Sequence, residues 1–193
     1  MPDSLRKLLG MGLWTLLTAI GVAFVSNTVI SKVGLVPAFS LLVAIIVINI
    51  LADIVGTSAA AAEEAPLHAM ATNRVAGARE AIQLVRRADL VANVANDLLG
   101  DVLGTVGGAV GAAIVVRLAA AWGSPETLTS TLLLSVIAAL TVGGKAAAKP
   151  FALRRANDVM FLLGRLCHRF QSLTGIRLLR VERGRPGKRK RSR

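Results

Sequence analysis

Residues 38–62 read AFSLLVAIIVINILADIVGTSAAAA, and Asp53 is the one charge among them. About 20 apolar residues in a helix cross the hydrocarbon core of a bilayer. The run therefore predicts a transmembrane helix, entered at Pro37. Outward from it the pattern recurs. Residues 8–31 (LLGMGLWTLLTAIGVAFVSNTVIS) carry no charge and predict the first span of the chain. A signal peptide is the rival reading, since Arg6 and Lys7 precede the run. The length of the run and the poor cleavage site at Ala23-Phe24-Val25 favour a retained anchor. Residues 90–116 are apolar apart from their Asn and Asp residues, and 127–144 (TLTSTLLLSVIAALTVGG) make a fourth span.

Composition agrees. Of 193 residues, 54% are hydrophobic and 4% aromatic, with a mean hydropathy of +0.63. A soluble domain is about 45–50% apolar even with glycine counted. One cysteine, Cys167, excludes a disulfide scaffold, and the hydrophobicity excludes global disorder. The expected fold is all-α, a polytopic integral membrane protein of about four transmembrane helices with interfacial amphipathic helices. Residues 1–36 form an additional N-terminal span. Residues 37–149 form a three-span domain that includes a polar helical segment, 63–89. Residues 150–180 hold a juxtamembrane helix, with Phe151, Met160, Leu163, Leu166, Phe170 and Leu173 set against Arg154, Arg155, Asp158, Arg165 and Arg169. That amphipathy predicts a helix lying along the membrane surface. Residues 181–193 are a basic tail without periodicity, expected to be disordered.

Net charge is +12. Four spans put both termini on one side, where 21 Lys and Arg collect, leaving Lys32 and Arg117 on the other. Basic loops stay in the cytoplasm. The expected location is the cell membrane, multi-pass, with both ends cytoplasmic and Trp122 at the outer interface. Partners are the lipid bilayer and anionic headgroups at the tail, each Lys or Arg there worth about 1 kcal/mol. The tail has no interleaved aromatics, so no specific nucleic acid is expected.

The polar residues within the spans are the candidate site. A buried-membrane carboxylate costs at least ~2.5–3.5 kcal/mol. Asn49, Asp53 and Thr57 are four residues apart, as are Asn93, Asp97 and Asp101, with Asn96 beside them. Four-residue spacing places each set on one helix face. If the two stripes face each other they form an oxygen-rich pocket. Its carboxylate, amide and hydroxyl oxygens would suit Mg²⁺ or another hard cation rather than zinc or copper. His68, His168 and Cys167 are scattered and read as surface or interfacial residues. The same stripes can also serve as hydrogen-bonding glue between helices, and an aspartate among them can be protonated by burial. Gly100, Gly104 and Gly108, and Gly107 with Gly111, give small-xxx-small patterns that admit a neighbouring backbone. No catalytic Ser–His–Asp order or metal-protease motif appears, so no enzyme is expected.

Five local motifs, in order, carry a resemblance. They are Gly56-Thr57-Ser58 followed by Glu63-Glu64; Gly77-Ala78; Arg87-Ala88-Asp89-Leu90; Leu99-Gly100-Asp101; and Gly144-Lys145-Ala146-Ala147-Ala148-Lys149. From about residue 38 to 170 the chain resembles the membrane domain of the cyclin-M / CorB–CorC magnesium transporters. That resemblance implies a three-span dimeric domain binding a cation through oxygen ligands, here Ser58, Asp101 and Asp97. It makes the helix at 8–31 an addition, and it implies a homodimer. The chain departs from the family pattern in three places: Lys145 replaces a Glu, Ala148 a Pro and Asp101 an Asn. The family's regulatory nucleotide-binding pair is also missing, so nucleotide gating is not expected.

Two functions follow. The first is Mg²⁺ transport or efflux through an intramembrane site of Asn49, Asp53, Asn93, Asp97, Asp101 and Ser58, with Asn96, Gly100 and Gly104 around it. The alternative is a non-transporting scaffold or accessory subunit in which Asp101 and Lys145 form a buried ion pair. In the transport reading Lys145 snorkels to the cytoplasmic face.

Overall fold

Pro37 occupies the first turn of a helix, where its missing N–H costs nothing. From Leu35 the apolar run continues uninterrupted to Ala61, and this is α1. The computed structural model describes residues 34–123 and 125–174, together with Leu13, Leu16, Leu17, Ile20 and Gly21. The expected first span and the basic tail therefore lie almost wholly outside the described residues. The polar segment after α1 forms two short helices, α2 (Glu64–Thr72) and α3 (Ala78–Val85). Arg74 and Gly77 turn the chain between them at positive φ. The second long helix, α4 (Ala88–Trp122), contains a π-helical stretch over Asn93–Leu99. α5 (Glu126–Arg154) and α6 (Ala156–Thr174) complete the described chain. No strand occurs among the described residues.

Helices α1, α4 and α5 are each long and apolar enough to cross a membrane. At 1.5 Å per residue, the 27 residues of α1 span about 40 Å. Their outward faces stay apolar: Val43, Val47 and Leu51 on α1 and Leu132, Val136 and Leu140 on α5 are all exposed. An apolar exterior around an apolar interior is consistent with a membrane protein. The expectation for the fourth span ended at residue 144, but α5 continues to Arg154. Pro150 removes one backbone hydrogen bond near the helix end, and the break falls at Arg155 instead.

Two apolar cores hold the helices together. At one end Ala38, Leu42 and Ile45 of α1 pack on Val110 and Ile114 of α4, with Leu133 and Ile137 of α5 beside them. At the other end Ala59 meets Leu84 and Met160, joining α1, α3 and α6. Helices α3 and α6 cross closely, since Gly164 lies against Gly77 and Ala81. Leu67, Ala81 and Ile82 extend this core toward Phe161. The expected single apolar face of α6 is thus two faces. Met160 is fully buried against its neighbours, while Leu162, Leu166 and Leu173 remain exposed. Between the two cores lies a polar layer.

Candidate functional site

The polar layer is built where α1, α4 and α5 converge. Small residues decide which face of α4 turns toward α1. Gly107 sits against Ile45, Gly100 beside Asn49, and Gly56 of α1 against Asn96, an antiparallel register. Gly144 of α5 receives Ile50 of α1. This close approach brings Asn49, Asp53 and Lys145 together, while Asn96 lies about two turns from Asn49, at Gly56. Asn49 is only 3% exposed, and its Oδ1 has no hydrogen-bond partner. The buried Oδ1 of Asn96 likewise has none, with its amide lying on Gly56. A methyl group on Gly100 would stand 3.8 Å from Lys145 Nζ and 3.9 Å from Asn49 Oδ1, so both polar atoms flank the same glycine. Lys145 Nζ lies 4.0 Å from Asp53 Oδ1, the two side chains being 30% and 20% exposed.

The two stripes do not face each other. Asn49 and Asp53 point into the bundle, but Asn93, Asp97 and Asp101 are exposed on the outward side of α4. Periodicity had them sharing a face, which they do; the inward face went to Ala95, Asn96, Gly100 and Gly107. Lys145 takes Asp53 as its partner, not Asp101, because α5 runs alongside α1 with Lys145 level with Asp53. It is held against Asp53 and Gly100 instead of being released to the end of the bundle. Gly104 and Gly108 face open space. Thr57 is half-buried. Ser58 is fully buried, and its hydroxyl donates to the Ala152 carbonyl at 3.1 Å. That carbonyl belongs to the last turn of α5, where carbonyls lack helical partners. Ser58 therefore ties α1 to the end of α5.

Among the described residues no group of three or more His, Cys, Asp or Glu is placed to hold a metal. The residues of the polar layer do not fit a divalent cation as they stand. The Asp53 carboxylate and the Asn49 amide oxygen are hard donors, but an ammonium already lies against the carboxylate. At an effective dielectric of 20, a double positive charge 4 Å from that ammonium is repelled by about 8 kcal/mol. A shallow apolar groove lined by Phe151, Arg155, Asp158, Val159 and Leu162 lies elsewhere, where α5 meets α6.

One polar tie escaped the sequence reading. Glu80 of α3 is 9% exposed and accepts a hydrogen bond from His168 Nδ1 of α6 at 2.9 Å. The signal was present: Gly77, Glu80, Ala81 and Leu84 recur at helical spacing, so Glu80 shares the buried face. His168 is thus an interhelical partner. Burial pushes the neighbouring Cys167 thiol upward, and the Glu80 charge adds to this. On the surface, hydrogen bonds from Arg86 and then His68 hold Glu64 below the usual carboxylate range. The Glu63 N–H donates to Asn157 Oδ1 at 2.9 Å, joining the start of α2 to α6.

Comparison with protein-family models, with curated proteins and with solved structures yields no match for this chain.

Proposed function

We propose that the chain is a multi-pass protein of the cell membrane that serves as a non-transporting scaffold or accessory subunit. The Lys145–Asp53 contact carries this reading. A charge pair inside an apolar bundle that compensates itself leaves no net charge to attract a permeant ion. Arg74, Arg79, Arg86, Arg87, Arg154, Arg155, Arg165 and Arg169 lie in or beside α2, α3 and α6, whereas Arg117 and Trp122 lie near the opposite end of α4. Excess positive charge supports a cytoplasmic location for the α3/α6 end. With residues 8–31 as a fourth span, both termini lie on that side. Leu162, Leu166 and Leu173, flanked by arginines, suit contact with the membrane surface. The outward face of α4, with Asn93, Asp97, Asp101, Gly104 and Gly108, is the face on which a homodimer would form. Small residues and polar groups are the common means of helix association in lipid.

Divalent-cation transport is the second reading. It draws on the resemblance to the cyclin-M / CorB–CorC domain and on the unpartnered oxygens of Asn49 and Asn96. Reconstituted liposomes with a Mg²⁺ indicator decide between the two. The scaffold reading expects Mg²⁺ flux no greater than in protein-free vesicles. Flux through the native chain that Asp53→Asn abolishes overturns it in favour of transport.

A further inference from the structure

The polar layer has the oxygen chemistry of a hard-cation site, and it already contains a cation that belongs to the chain. Three observations meet there. Asn49 is 3% exposed, and its Oδ1 is a buried acceptor without a partner. Buried polar groups are nearly always hydrogen-bonded, so this oxygen needs an explanation. Asp53 supplies a carboxylate on the same face of α1, one turn from Asn49. Lys145 Nζ stands against both Asp53 and Gly100, the glycine that Asn49 also flanks. From these contacts we infer that Lys145 is the resident cation of a latent divalent-cation site formed by Asn49 and Asp53, and that its ammonium keeps a metal ion out.

The reasoning is one of charge and space. An ammonium is a compact donor on a flexible stem. It satisfies part of what a metal would satisfy and offers the same sign of charge. Hard divalent cations prefer carboxylate, amide carbonyl and water oxygens. Deleting the amine while keeping most of the length of the side chain leaves Asp53 uncompensated and frees the space beside Gly100. A divalent ion with its remaining waters then restores the balance. The inference rests on the membrane-bundle reading and concerns the occupancy of the layer, so it holds whether or not the chain moves ions.

The test uses the full chain in lipid nanodiscs, in the native form and as Lys145→Gln, Lys145→Met and Lys145→Gln with Asp53→Asn. Thermal unfolding is followed with and without millimolar MgCl₂, and MnCl₂ binding is read by the loss of the free-ion EPR signal. The native chain is expected to show no melting shift. Both single variants are expected to melt lower without metal, to recover with MgCl₂, and to bind Mn²⁺ about tenfold or more tighter than the native chain. Adding Asp53→Asn is expected to remove the gain. If the single variants gain no metal affinity, or cannot be folded even with MgCl₂ present, the latent site does not exist. If the native chain binds as tightly as Lys145→Gln, the ammonium is not the competitor. Mg²⁺ flux through the native chain, by contrast, strikes at the scaffold proposal and leaves the metal affinity of the variants to be judged separately.

Discussion

Neutralising Asp53 and Lys145 singly and together gives the most direct measure of the polar layer. Their charges lie 4.0 Å apart. At an effective dielectric of 20 the attraction is about 4 kcal/mol before desolvation is subtracted. Removing one partner strands the other in a largely apolar bundle, a loss of ~3–5 kcal/mol for a buried pair. Both side chains keep some exposure, so the lower end, about 3 kcal/mol for Asp53→Asn and for Lys145→Met, is expected. The double variant should lose about 1 kcal/mol or less, because replacing both charges is often nearly neutral. Unfolding in lipid nanodiscs, with EDTA present to exclude divalent ions, gives the three values. Asp101→Asn is the internal control. Asp101 is exposed on α4 and should cost about 0.5 kcal/mol or less. Additive single losses refute the pairing. A coupling that follows Asp101 and not Asp53 would mean that α5 sits in a different register on α1.

Two further outcomes follow from glycine geometry. Gly77 has φ +90°, and a Cβ there would lie 2.6 Å from the Arg165 Cα, whereas Gly123 has φ +60° with nothing within 4 Å. Gly123→Ala should therefore cost only the left-handed conformation, ~1–2 kcal/mol. Gly77→Ala adds overpacking of a further ~1–3 kcal/mol, and equal melting losses for the two would rule out the close α3/α6 crossing. Gly104→Leu and Gly108→Leu have open space in the single chain. Each should leave monomer melting within about 0.5 kcal/mol while abolishing the cross-link expected of the proposed homodimer, and an undiminished cross-link would place that contact on another face.

The long helices were legible because a charge-free run of sufficient length has few other fates. Their ends were less so. Gly143, Gly144 and Lys145 look like a terminus in one dimension, yet in the bundle the glycine admits Ile50 and the lysine finds Asp53. The acidic stripes show the same limit. Spacing tells which side chains share a face, and it told this correctly for Asn93, Asp97 and Asp101. It does not tell which face wins the interior. On α4 that was decided by competition, and the glycines won because only they let α1 approach. The partner of Lys145 depended on the offset between α1 and α5, which no local pattern encodes. The Glu80–His168 tie is similarly remote, its members being 88 positions apart in the sequence.

A bundle of apolar helices lined with small residues has a weakness that the polar layer addresses. Alanine, valine and leucine surfaces fit one another almost as well after a slip of one turn. Dispersion and apolar burial alone discriminate poorly between such registers. A slip of α5 by four residues along α1 would set Lys145 level with Asn49 or Thr57 and leave Asp53 without a cation. The same slip would also take the Ser58 hydroxyl away from the Ala152 carbonyl. Sliding α4 would lift Asn96 off Gly56 and drive its amide into a side chain, since no other inward position on that turn of α1 lacks a Cβ. Each misalignment strands a charge or a polar group, at about 3 kcal/mol for the partly exposed ion pair alone, whereas in the correct register the Asn49 and Asn96 amide oxygens are what this interface leaves unpaired. Polar residues can therefore be retained inside an apolar bundle because they are costly everywhere but in one alignment.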